Sequence, residues 1–165
     1  MANSQVDQLT EETIRKGGIL AKLYFDMESE KAEDLQPLMT DLINNRLLKA
    51  VGVVYCVGVI EEPIKLEKTY STSATVTGLF KDIGSIINVA FNFAPAGLEI
   101  LKPNGEIRIK ANELQAILLD LAQISVNYSQ YILSRVLSKE DYEKVTRDMK
   151  NREELGKKVL GKKES

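Results

Sequence analysis

Residues 69–80 read TYSTSATVTGLF. Thr69, Ser71, Ser73, Thr75 and Thr77 fall on one side of a strand with period two, so the stretch predicts a strand with a row of small hydroxyls along one face. Threonine favours strands in any case. The row therefore marks either a solvent-facing side or a surface that hydrogen-bonds a ligand or an added strand.

On its N-terminal side lies AVGVVYCVGVI, residues 50–60. Its β-branched content and short apolar length predict a buried strand. Glu61-Glu62-Pro63 ends it, and the short connection makes this strand antiparallel to 69–80. Gly52 and Gly58 inside the run mark a bulge or a close approach of another backbone. Further out, residues 19–27 read ILAKLYFDM. Ala21, Leu23, Phe25 and Met27 point one way and Lys22, Tyr24 and Asp26 the other, which suits a sheet with one face covered.

Between these strands, residues 30–48 carry Ala32, Leu35, Leu38, Met39, Leu42, Ile43 and Leu47 at helical spacing, with Ser29 as the expected cap. Pro37 removes a donor and crowds the preceding turn, so the helix is expected to start near Leu35 or to kink. Residues 82–93, DIGSIINVAFNF, suit a second helix capped by Asp82, with Ile83, Ile86, Ile87, Ala90 and Phe91 inward. GLEILK, 97–102, follows as a strand. Pro103-Asn104-Gly105 is a turn signal, and EIRIK, 106–110, is expected to return as a hairpin arm.

The flanks are helical. Residues 1–18 form a short segment with Val6, Leu9, Thr13 and Ile14 roughly on one face, ended by Gly17-Gly18. Asn112 is the expected cap of a long helix reaching about Leu137. Ser138-Lys139-Glu140-Asp141 looks like a fresh cap for a last helix reaching about Leu155. The expected divisions are 1–18, a sheet core at 19–111, a helical pair at 112–155 and a basic tail at 156–165.

The order is β-α-β-β-α-β, then a hairpin arm and two helices. The fold class is α+β, and the first six elements resemble a ferredoxin-like layout, an antiparallel sheet with two helices on one face. The resemblance is architectural and fixes no function. The chain's 165 residues suit one domain with a real core.

Composition removes many chemistries. The chain has no histidine and a single cysteine, Cys56. Triads built on histidine, histidine-based metal sites, thiolate zinc and iron–sulfur centres are excluded. The glycines form no phosphate loop. Asp26, Glu28, Glu30, Glu33 and Asp34 cluster at one strand–helix junction, but their spacing matches no calcium loop, and acids beside a helix start stabilise it through its dipole. Cys56, between Tyr55 and Val57 in the most apolar strand, reads as an inert core thiol. No catalytic residue, metal or cofactor is expected.

Formal net charge is −2, so there is no overall field for phosphate. The layout is shared with RNA-recognition domains, yet TYSTSATVTGLF lacks their basic-aromatic motif, and only the lysines at 157, 158, 162 and 163 suggest phosphate contact. No run is long enough to span a bilayer and the N-terminus is not a secretory signal, so the expected location is cytoplasmic.

The long helix is the strongest interaction candidate. Leu114, Ile117, Leu121, Ile124, Tyr128 and Tyr131 follow an a/d heptad, and Leu118, Ala122 and Ile132 widen the stripe. The last helix carries five acid-first pairs at four-residue spacing, from Glu140/Lys144 to Glu154/Lys158, and a narrow stripe at Tyr142, Val145 and Met149. The leading expectation is a non-catalytic interaction or regulatory domain, a homodimer with a possible protein partner, using Leu121, Ile124, Tyr128, Tyr131 and Tyr142 or a sheet edge. The alternative is a small-molecule binder or enzyme acting on the open sheet face at Tyr24, Ser71, Ser73 and Thr75. RNA binding comes third.

Overall fold

A computed structural model describes residues 5–161, with the side chains of Met149, Arg152, Glu153 and residues 155–161 outside the description. Among the described residues the fold is mixed α/β, with a five-strand antiparallel sheet and five α-helices. The chain divides into two compact units, 1–108 and 109–165.

The first unit holds helix α1 (Gln5–Arg15), β1 (Ile19–Ser29), α2 (Ala32–Thr40), β2 (Val53–Ile60), β3 (Ile64–Lys65), β4 (Tyr70–Phe80), α3 (Ile83–Phe93) and β5 (Gly97–Lys102). The sheet order is β2-β4-β1-β5, with two-residue β3 also paired to β4. Register follows the alternation. Leu23 faces Val76 and Phe25 faces Ala74 across the covered side, while Tyr24 faces Thr75 and Asp26 faces Ser73 across the other. Ile19, Ala21, Leu23, Phe25, Ala74, Val76 and Phe80 are buried with Met39, Ile43 and Leu47 from the second helical segment and Ile86 and Val89 from α3. At roughly 1.5–3 kcal/mol per fully buried large apolar side chain, this cluster is the main source of the unit's stability.

That helical segment departs from an ordinary α-helix. It begins at Ala32, continues through Pro37 and widens into a π-helical run at Asp41–Leu47. Leu48 N–H donates to the Ile43 carbonyl, five residues back, at 2.9 Å. Leu35, Met39, Ile43 and Leu47 are all buried at strict four-residue spacing. Such a row drifts by roughly 40° per step around an α-helix of 3.6 residues per turn. The wider turns reverse the drift and keep the row against the sheet. Ser29 is not the cap: Lys31 occupies that position without a side-chain bond, and Ser29 Oγ accepts from Lys31 N–H at 3.2 Å. Leu38 points to solvent.

α3 starts as expected, with Asp82 Oδ1 accepting from Ser85 N–H at 2.8 Å. Its inward residues include Ser85 and Val89, whereas Phe91 is exposed. Ala94 closes the helix in the left-handed region.

Two strand expectations fail. The 106–110 segment is not a strand, so there is no hairpin arm. An Asn-Gly hairpin turn needs positive φ at both residues, and here Gly105 has it while Asn104 does not. The run 50–60 is not a buried strand either: β2 is an edge of the sheet and much of it is exposed. A valine-rich run carries the same β preference at an edge as in a centre.

α1 packs on the sheet face opposite α2 and α3. Leu20, Leu79 and Tyr55 are register neighbours on that side. Thr10 Oγ1 and Tyr55 Oη share a hydrogen bond of 2.9 Å, and Thr10 and Leu79 are buried. Gly17, at φ 97°, lets the chain leave α1, and a side chain at Gly18 would strike the Phe80 carbonyl.

The second unit consists of α4 (Ala111–Val136) and α5 (Lys139–Gly161). α4 begins before Asn112. Lys110 is the cap residue, and its N–H donates to the Glu113 carboxylate at 3.1 Å. Ser138 does cap α5, accepting from Asp141 N–H at 3.3 Å and donating to its carboxylate at 2.7 Å. Lys144 Nζ lies 4.0 Å from Asp141. Gly156 lies inside α5; a glycine there weakens a helix by about 1 kcal/mol without ending it. No described helix is long and apolar enough to cross a membrane.

Candidate functional site

Strand alternation brings Tyr24, Ser71, Ser73 and Thr75 onto one face. Tyr24 is opposite Thr75, and Glu28 is opposite Ser71. Tyr24 Oη donates to the Glu99 carboxylate at 3.4 Å. Its ring lies beside Gly97, where a Cβ would come within 3.1 Å of it. Thr72, one residue out of phase, is buried on the covered side and donates to the Glu61 carbonyl at 2.6 Å. The open face also carries Val57 and Val59, opposite Thr77 and Thr75. α1 closes the end at Leu20, Leu79 and Tyr55, and Lys22, Asp26, Glu28 and Glu99 supply more negative than positive charge. That balance disfavours phosphate.

Two clefts lie elsewhere in this unit. One, of about 450 Å³, runs between the π-helical run and β2 and is lined by Thr40, Ile43, Asn44, Cys56, Gly58 and Ile60 among others. Gly58 allows β2 to approach β4 closely, since a Cβ there would meet the Thr75 carbonyl and Val76 Cα. Burial pushes the Cys56 thiol up to about 11. A thiol so protonated at neutral pH is a poor nucleophile. The other cleft, of about 200 Å³, lies under α1 between Thr10, Tyr55, Leu20 and Lys102.

Among the described residues, no three Cys, Asp or Glu side chains are placed to share a metal ion. Asp26 and Glu28 extend from β1, while Glu33 and Asp34 sit in the first turn of α2.

In the helical unit, Leu121, Ile124, Tyr128 and Tyr131 share one face of α4 by spacing. Leu121 and Ile124 are half-buried, whereas Tyr128 and Tyr131 are exposed. The Arg135 guanidinium stands over the Tyr131 ring at 5.4 Å. Leu114, Leu118, Ile132 and Val136 extend the same stripe and are also exposed, Val136 at 75%. Of α4's residues, Ile117 is buried. Tyr142 is a half-buried residue of α5. Val136 was missed because it lies off the tyrosines' a/d heptad, four residues beyond Ile132. The bare valines of β2 were missed because nothing in the run 50–60 distinguishes edge from centre.

No curated protein and no solved structure is significantly similar to the chain. A family model does match residues 20–150, from the start of β1 into α5 and leaving out α1, and the chain belongs to the MJ0538 family.

Proposed function

We propose that the protein is a non-catalytic interaction or regulatory domain of the cytoplasm that self-associates as a homodimer through α4. The observation that carries this reading is the exposed apolar stripe from Leu114 to Val136 on a helix of 26 residues. The exposed part lies at the two ends, Leu114 with Leu118 and Tyr128 through Val136, and a monomer seldom leaves that much clustered apolar surface in water. Its a/d spacing is the pattern by which a helix seats against a copy of itself. Tyr128 and Tyr131 combine apolar area with a polar tip, as interface residues do.

The sheet unit is read as a ferredoxin-like scaffold. Support comes from the order β2-β4-β1-β5, in which each strand is antiparallel to its neighbours and each long crossover carries a helix. The scaffold would hold the pair of helices without itself performing chemistry.

Replacing Tyr128 and Tyr131 together with glutamate tests the reading. The expected result is half the native mass by sedimentation velocity, with an unchanged far-UV circular dichroism spectrum. An unchanged mass overturns it.

A second reading is favoured by one observation: the register gathers Tyr24, Ser71, Ser73 and Thr75 on one face. A small uncharged molecule with hydrogen-bonding groups would suit that row. Native mass spectrometry of gently purified protein should then show a discrete adduct that Ser73→Ala removes.

A further inference from the structure

The two edges of the sheet are built differently. β5 ends one side, with Glu99 and Lys102 in the strand and Pro103 directly after it. Charges and proline are the usual devices that keep an exposed edge from pairing with another chain. β2 ends the other side with eight residues, VVYCVGVI, that contain no charge and no proline. Its open-face side chains Val57 and Val59 are 67% and 62% exposed. An edge strand also presents a row of unpaired N–H and C=O groups along its outer side.

We propose that β2 is a pairing edge for a second copy of the chain, the two β2 strands running antiparallel about a two-fold axis at Val57 so that two sheets continue into one. Charge argues for a copy of this chain as the occupant. A strand paired with its own symmetry mate sets each side chain opposite itself or a near neighbour, so a charge near the axis would meet its like. The run Val53–Ile60 carries none. In this register Val57 meets Val57 and Val59 meets Tyr55, apolar cross-strand pairs of the kind that stabilise sheets, and the irregularity at Val54 ends the regular pairing. A two-fold axis normal to the sheet keeps Tyr55, Val57 and Val59 of both copies on the same open face. The surface is distinct from α4 and belongs to the other unit, so this goes beyond the helix-borne association.

The test uses the full chain, wild type and Val57→Lys, with Val57→Thr as the conservative control. Sedimentation velocity and amide hydrogen exchange are read over a range of concentrations. The substitution places two ammonium groups face to face at the axis, on a side chain that is already largely in water. The expected result for Val57→Lys is loss of the pairing step in the mass distribution. Exchange of the outward-facing β2 amides should rise by about tenfold or more, with β4 amides unchanged. Val57→Thr should keep both the mass and the protection. Equal mass and equal β2 exchange in wild type and Val57→Lys would overturn the proposal. So would outward β2 amides that exchange at unprotected rates in wild type at every concentration. Failure of α4 pairing is read separately, from the Tyr128/Tyr131 variant, which should leave β2 protection intact.

Discussion

Around β1 and β4, Ala21, Leu23, Val76 and Phe80 are sealed from water, whereas along α4 Leu118, Tyr131, Ile132 and Val136 are each more than half exposed. Both regions are rich in apolar side chains. In the sheet unit those side chains have neighbours from two helices within the same chain. In the helical unit a long stripe remains in contact with solvent. The first region's apolar side chains are covered within the chain, and the second region's stripe is the surface on which the proposed association rests.

The comparison predicts unequal costs for similar truncations. Phe80→Ala should destabilise the chain by about 3–5 kcal/mol in urea denaturation, as expected for a fully buried aromatic, and equally at every protein concentration. A cost below 1 kcal/mol would mean that the core around β4 is not packed as described.

Gly58→Ala should come next, at roughly 1–3 kcal/mol, because the new Cβ meets the backbone of β4. Asp82→Ala should cost about 1 kcal/mol through loss of the α3 cap. Both are measured by the shift in urea midpoint. On α4, Ile132→Ala should change the stability of dilute protein by less than about 0.5 kcal/mol, while weakening association in concentrated solution. A large effect in dilute protein would erase the contrast between the two units.

Cys56 sharpens the comparison from the sheet side. Its folded pKa is about 11, against an ordinary value of 9.0. Near pH 8 its thiolate fraction is then about a hundredfold below that of the unfolded chain, and alkylation by iodoacetamide should be slower by a similar factor. Above pH 9 the unfolded chain loses this proton while the folded chain keeps it, so the thiol's contribution to stability is full below pH 9 and declines toward pH 11. A fast-reacting thiol in folded protein would contradict the burial assigned to β2's inner face.

Much of the sheet is legible from alternation. Leu23 and Tyr24 take opposite faces as period two requires, and the hydroxyls of Ser71, Ser73, Thr75 and Thr77 face away from the core. Asp82 and Ser138 cap their helices because each side chain has a backbone donor three residues on. β2's position is not legible, since a valine-rich run satisfies an edge as well as a centre. The absence of a second arm after Asn104-Gly105 depends on one φ angle. α1's seat on the open face includes a hydrogen bond shared by Thr10 and Tyr55, 45 residues apart. The π-helical run answers a four-residue burial period that becomes visible only once the sheet is in place. Among the candidate residues, spacing groups Leu121, Ile124, Tyr128 and Tyr131 on one face of α4. The spacing of one helix carries no record of what faces it.

The most direct test of the central claim is thermal unfolding of the full wild-type chain, monitored by circular dichroism across about a hundredfold range of protein concentration. Association through α4 predicts a midpoint that rises with concentration, still does so when β2 pairing is blocked by Val57→Lys, and loses that dependence when Tyr128→Glu/Tyr131→Glu is added to the Val57→Lys chain. A midpoint independent of concentration, with the wild-type chain sedimenting as a monomer throughout, would contradict it.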